Sequence, residues 1–237
     1  MRSDSIRAGA RAGWLGWRWG WPCAAVAVAT LGLLVASLLE AQVRSEAAHA
    51  SVVRVRLSGL VFGLAIPLLE LVIGSRMGPH RKDLMRAPGV RWGFNRRGYA
   101  LGLAAIPTLL VGAAGSFLAG LGTVATWAIT QPEGNAGSAA GVLLTSALLG
   151  GAAGVIYSVC LGAARLAWPT VGTTAFLVAD WVLGSGSGFV ALPWPRAHLR
   201  AMLGGHSVLD VGTLGGLLAL LLIALAQPAL LGRRLPA

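Results

Sequence analysis

Acidic side chains are scarce here: eight Asp and Glu stand against nineteen Lys and Arg, and charged residues fill only 11% of 237 positions. With 56% of the residues hydrophobic, too little polar material remains to clothe a water-soluble globule, so a membrane protein is expected. The two cysteines, Cys23 and Cys160, both fall inside apolar stretches, which excludes a disulfide framework and a CxxC metal site. Four dispersed histidines, His49, His80, His198 and His206, offer no zinc spacing. GxSxG, HExxH and Walker A patterns are missing, as is any carboxylate cluster. The chain therefore reads as neither an enzyme nor an ATPase in its own right, with no catalytic residues and no metal.

What is present is a series of apolar runs long enough to cross a hydrocarbon core of ~30 Å. The pattern predicts a single all-α membrane domain over residues 1–237 with six spans: 21–39, 57–74, 99–119 with an apolar extension to 130, 141–166, 169–183 and 208–231. Six spans put both termini on one side. Fourteen Lys and Arg then fall on the side of the termini and five on the other, so the positive-inside bias predicts cytoplasmic termini. The N-terminal basic and apolar stretch resembles a signal peptide, but the apolar part is long and its end is a poor cleavage site. Span one is expected to be retained. Before it, Trp14, Trp17, Trp19 and Trp21 form an aromatic belt, and Arg7, Arg11 and Arg18 share one side of a helical wheel, as in a helix lying on the inner surface. The net charge of +11 sits at membrane edges, where it meets anionic head groups rather than nucleic acid. Eighteen Arg against one Lys, with abundant Ala and Gly, fit a bacterial plasma membrane.

Within the spans, Ser146, Gly150, Gly154, Ser158 and Gly162 recur at every fourth position, a small-residue ridge that lets helix backbones approach closely. It serves either packing inside the bundle or a face toward a second copy. Two acids at membrane depth need partners. Asp180 either faces a cavity or partner helix near the midplane, or lies near the outer interface if its span ends at Gly184. Glu70 lies close enough to the inner end to reach the interface or Arg76. Pro67 and Pro107 interrupt spans two and three, and each frees a carbonyl for a neighbour to satisfy. Residues 184–207 open on Gly-Ser-Gly-Ser-Gly and continue with Pro195, Leu199, Met202 and Leu203 on one side and Arg196 and Arg200 on the other. That pattern suits an outer amphipathic connector or a re-entrant lid.

Residues 75–98 carry six Lys and Arg beyond the span-ending Arg76 against one acid, Asp83. Their stretch Gly78-Pro79-His80-Arg81-Lys82-Asp83-Leu84-Met85-Arg86-Ala87-Pro88-Gly89-Val90-Arg91 resembles the segment after span two in ABC-2 type permeases, the membrane-spanning subunits of ABC exporters (type V exporter-like). The stretch from Leu192 to Leu199 with Gly204-Gly205 is similar to that family's outer element before the last span, and the last span ends in Arg233-Arg234 as expected. The family's frequent acid and Gly-Thr before the coupling helix are represented only by Gly78 and Asp83. The resemblance implies a coupling helix at Arg81, Lys82, Asp83, Leu84, Met85 and Arg86, and a second permease copy, the same or different. It also implies separate ABC ATPase chains that carry the ATP and Mg, this chain holding no cofactor. The implied cargo is a lipophilic small molecule, a peptide antibiotic or a lipid. The basic loop is also similar to FtsX/MacB-type permeases through Arg86-Ala87-Pro88-Gly89-Val90, but those carry a large extracellular domain where this chain has only about 17 residues between spans one and two. A membrane anchor or regulator and an ion-coupled carrier using Asp180 stand as alternatives.

Overall fold

The computed structural model describes residues 3–15, 20–43, 50–77, 96–130, 136–168, 171–186, 189–191, 194–197 and 199. Regular structure among them is helical throughout: α1 (Ser3–Leu15), α2 (Gly20–Val43), α3 (Ala50–Leu60), a π-helical turn (Val61–Ala65), α4 (Ile66–Met77), α5 (Arg96–Thr130), α6 (Ala136–Ala167) and α7 (Gly172–Leu183). The proposed coupling segment 81–86, the sixth apolar run 208–231 and all four histidines lie outside the described residues.

Four helices are long and apolar enough to cross a membrane: Gly20–Ala41, Val55–Arg76, Gly98–Ile129 and Ala139–Arg165. This is a membrane protein by that measure. The fifth expected span is shorter than the sequence suggested. α7 has 12 residues, roughly 18 Å of rise, against a core of about 30 Å. It stops where the glycine-serine run begins, the Gly184 N–H capping the Asp180 carbonyl at 3.0 Å.

The second span is one rod in three pieces. Leu60 and Ile66 keep right-handed helical dihedrals on either side of the π turn, and the Ile66 N–H donates to the Val61 carbonyl, so α3 runs through into α4 without a break. This rod supplies the middle of the core: Val53, Leu57, Val61, Phe62, Ile66, Leu69 and Ile73 are buried among residues of α2, α5 and α6. Leu31, Leu38, Leu109, Phe117, Leu144 and Leu148 stay exposed, as side chains that face hydrocarbon should.

α5 and α6 make the most extensive interface in the bundle, and small residues make it. A Cβ built on Gly115 would meet the Gly150 carbonyl and one on Gly150 the Gly115 carbonyl; Gly154 abuts the Val111 carbonyl in the same way. Ser158 exchanges a hydrogen bond with Thr108 at 3.0 Å. The middle of the ridge is thus consumed by packing within the chain, which removes Gly150 and Gly154 as a face toward a second copy. Ser146 is half-buried, and Gly162 has open space where its Cβ would be.

α1 forms despite its glycines because they are its contact surface. Gly9 sits on the Tyr99 carbonyl and Gly102 on the Ile6 carbonyl, with Ser5 beside Gly98, so the helix lies along the first turns of α5 and leaves Arg7 and Arg11 exposed. Arg76 lies over the Trp21 ring at 4.8 Å, bringing the start of α2 to the same end. At the opposite end Arg56 and Glu40 pair at 3.0 Å, closing the α2–α3 hairpin.

Candidate functional site

Pro67 has no N–H, so the carbonyl four residues earlier, that of Gly63, loses its helical donor. The π turn is built around this defect. Two side chains from another part of the bundle occupy the freed oxygen: Trp181 Nε1 and Arg196 Nη1 both donate to the Gly63 carbonyl at 3.1 Å. The Arg196 guanidinium packs closely over Gly63, where a Cβ would stand 3.2 to 3.5 Å from it. The guanidinium also covers the Trp181 ring at 4.3 Å, a contact worth about 0.5–2 kcal/mol depending on desolvation.

Asp180 completes the cluster from the other side of Arg196. Its Oδ1 accepts the Arg196 backbone N–H at 3.0 Å and its Oδ2 the Tyr157 hydroxyl at 2.8 Å. Asp180 and Tyr157 are both buried. The helix ends at Leu183, as one sequence reading had it, and Asp180 faces Tyr157 of α6. The chain after Gly184 folds back along α7: Trp194 comes to 5.5 Å from the Phe176 ring, one turn deeper than Asp180, and Leu199 is buried in the core. A returning segment therefore exists, and the Arg196 side chain reaches from it to the Gly63 carbonyl and the Trp181 ring.

A second polar cluster lies nearer the Arg76 end. Arg165 Nη2 is 3.4 Å from both Glu70 carboxylate oxygens, and its Nη1 donates to the Gly74 carbonyl. Glu70 and Arg165 are almost wholly buried, so Glu70 pairs across the bundle with α6 and not with Arg76 as the sequence suggested. Arg165 correspondingly leaves the set of free charges at that end. Seven residues separate Glu70 from Gly63 and eight separate Arg165 from Tyr157, so the clusters are about 10–12 Å apart along the helices.

Comparison with known protein families, with characterised proteins and with solved structures returned no match.

Of the residues singled out in the sequence, Asp180 and Glu70 are thus both buried and partnered, but in separate clusters. The ridge residues line a helix interface, and residues 81–86 lie outside the described set. Sequence reasoning missed Tyr157, Arg165, Trp181 and Gly63. One signal was available: counting four back from Pro67 names Gly63 as the orphan carbonyl. Among the described residues no three His, Cys, Asp or Glu side chains gather as a metal site. The Gly63–Asp180 cluster can hold the returning segment against α3–α4 and α6; the Glu70–Arg165 pair can hold α4 against α6.

Proposed function

We propose that this chain is the membrane-spanning subunit of an ATP-driven ABC-2 type exporter in a bacterial plasma membrane, with six spans, cytoplasmic termini, a second permease copy and separate ATPase chains. The observation that carries this reading is the returning segment after α7, pinned by Asp180 and Gly63 and followed by a last apolar run. It stands where the resembling family has its outer element.

The rod of span two supplies a mechanical route. Residues 78–95 join α4 to α5 directly, and Gly63 lies fourteen residues before Met77, roughly 21 Å away along one continuous helix. A push by an ATPase on the 81–86 segment would travel up α4, past Glu70–Arg165, to the Gly63 carbonyl that holds Arg196 and Trp181. Inward and outward access to a cavity for a lipophilic small molecule, peptide antibiotic or lipid would then follow the state of the returning segment. Changing Leu84 and Met85 to Asp tests this: the reconstituted transporter should lose cargo-stimulated ATP hydrolysis while insertion is unchanged. Full hydrolysis and transport by the double variant would remove the coupling role.

An ion-coupled carrier is favoured by one observation, the carboxylate of Asp180 within the bundle. Each of its oxygens already accepts one hydrogen bond, from Tyr157 and from the Arg196 N–H, which suits a fastening better than a proton relay. Transport by Asp180→Asn that keeps its ATP dependence supports the exporter; loss of coupling to an ion gradient supports the carrier.

A further inference from the structure

A groove of about 560 Å³ runs between α2 and α5 with Ile73 of α4 in its floor; Val26, Thr30 and Leu34 form one wall and Leu110 and Phe117 the other. Its lining on α2 extends from Pro22 to Leu34, twelve residues or roughly 18 Å, about the ~15 Å depth of one leaflet. Its lining is almost wholly apolar, and that length lets a hydrocarbon chain lie along it through one leaflet.

Its mouth is basic. Arg76, one turn beyond Ile73, is exposed, stacks over Trp21 beside Pro22, and makes no ion pair among the described residues. An apolar slot with the Arg76 guanidinium at one end is complementary to an anionic amphiphile.

We propose that the groove binds one acyl chain of an anionic phospholipid from the leaflet on the Arg76 side, its phosphate held by Arg76 beside Trp21. This inference does not depend on the exporter reading, since it would hold equally for an anchor or a carrier.

The full chain, placed in phosphatidylcholine nanodiscs containing phosphatidylglycerol with a photoactivatable acyl chain, should give adducts on 22–34 and 110–117 on irradiation. Arg76→Gln should reduce that labelling about fivefold, the worth of one basic residue at an anionic surface, and Arg76→Lys should largely restore it. Ala27→Trp, a change at an exposed groove position, should block labelling in a protein that is still inserted. Equal labelling by photoactivatable phosphatidylcholine, indifferent to Arg76, would overturn the site. So would a cross-link from Cys23, which lines the groove, to a cysteine placed in 208–231 or to Cys23 of a second copy, because a protein segment would then occupy it.

Discussion

Pro67 shows how one missing N–H organises a membrane interior. Water cannot satisfy the Gly63 carbonyl at that depth, so the bundle must, and it does so with Trp181 and Arg196. The adjacent Tyr157–Asp180 bond is a neutral donor on a carboxylate, and Tyr157→Phe should cost about 1–2 kcal/mol of stability, read as a lower unfolding midpoint in mixed micelles. No change would mean that Asp180 finds another donor. The Glu70–Arg165 pair makes a different prediction. Glu70→Leu alone leaves the Arg165 guanidinium buried without its carboxylate and should destabilise by about 3–5 kcal/mol, whereas Glu70→Leu with Arg165→Met should recover most of the loss. A double variant as unstable as the single would mean that the Arg165 bond to the Gly74 carbonyl carries the stabilisation.

Helices were the most legible level of this protein. The apolar runs read as 57–74, 99–119 with an extension to 130, and 141–166 correspond to helices long and apolar enough to span at Val55–Arg76, Gly98–Ile129 and Ala139–Arg165, the third continuing unbroken through its extension, because hydrocarbon imposes composition and length directly on the sequence. Contacts between helices leave a fainter trace. The ridge on α6 was visible as a period of four, yet the period does not say which helix it meets, and α5 met it. Nor does the sequence of α1 announce that Gly9 is where the helix touches the Tyr99 backbone. An end of α7 at Gly184 and a re-entrant course for 184–207 were among the readings the sequence allowed, but it did not choose between them and their alternatives, since an apolar stretch before a flexible turn looks the same whether it exits the membrane or doubles back. The α5–α6 contact predicts the outcome of Gly154→Leu. A Cβ there already collides with the Val111 carbonyl, so overpacking should cost well over 1–3 kcal/mol and reduce folded yield without selectively changing subunit association. A well-folded variant that is purely monomeric would return the ridge to the dimer interface.

At the scale of the whole molecule, four antiparallel spans place Arg76, the start of α2, α1, the Glu70–Arg165 pair and both ends of the basic 78–95 connection at one end. The Gly63–Asp180 cluster lies higher in the bundle, and a single rod links the two levels. That arrangement can carry a displacement from the basic loop to the returning segment, and the proposed exporter function rests on it. The most direct measurement is the composition of the complex purified from native membranes through a tag on this chain. The account predicts an ABC-type ATPase in equal number with the permease chains, two of each, and its loss from the Leu84→Asp, Met85→Asp variant. A tagged chain that brings down no ATPase, or a double variant that retains it undiminished, would contradict it.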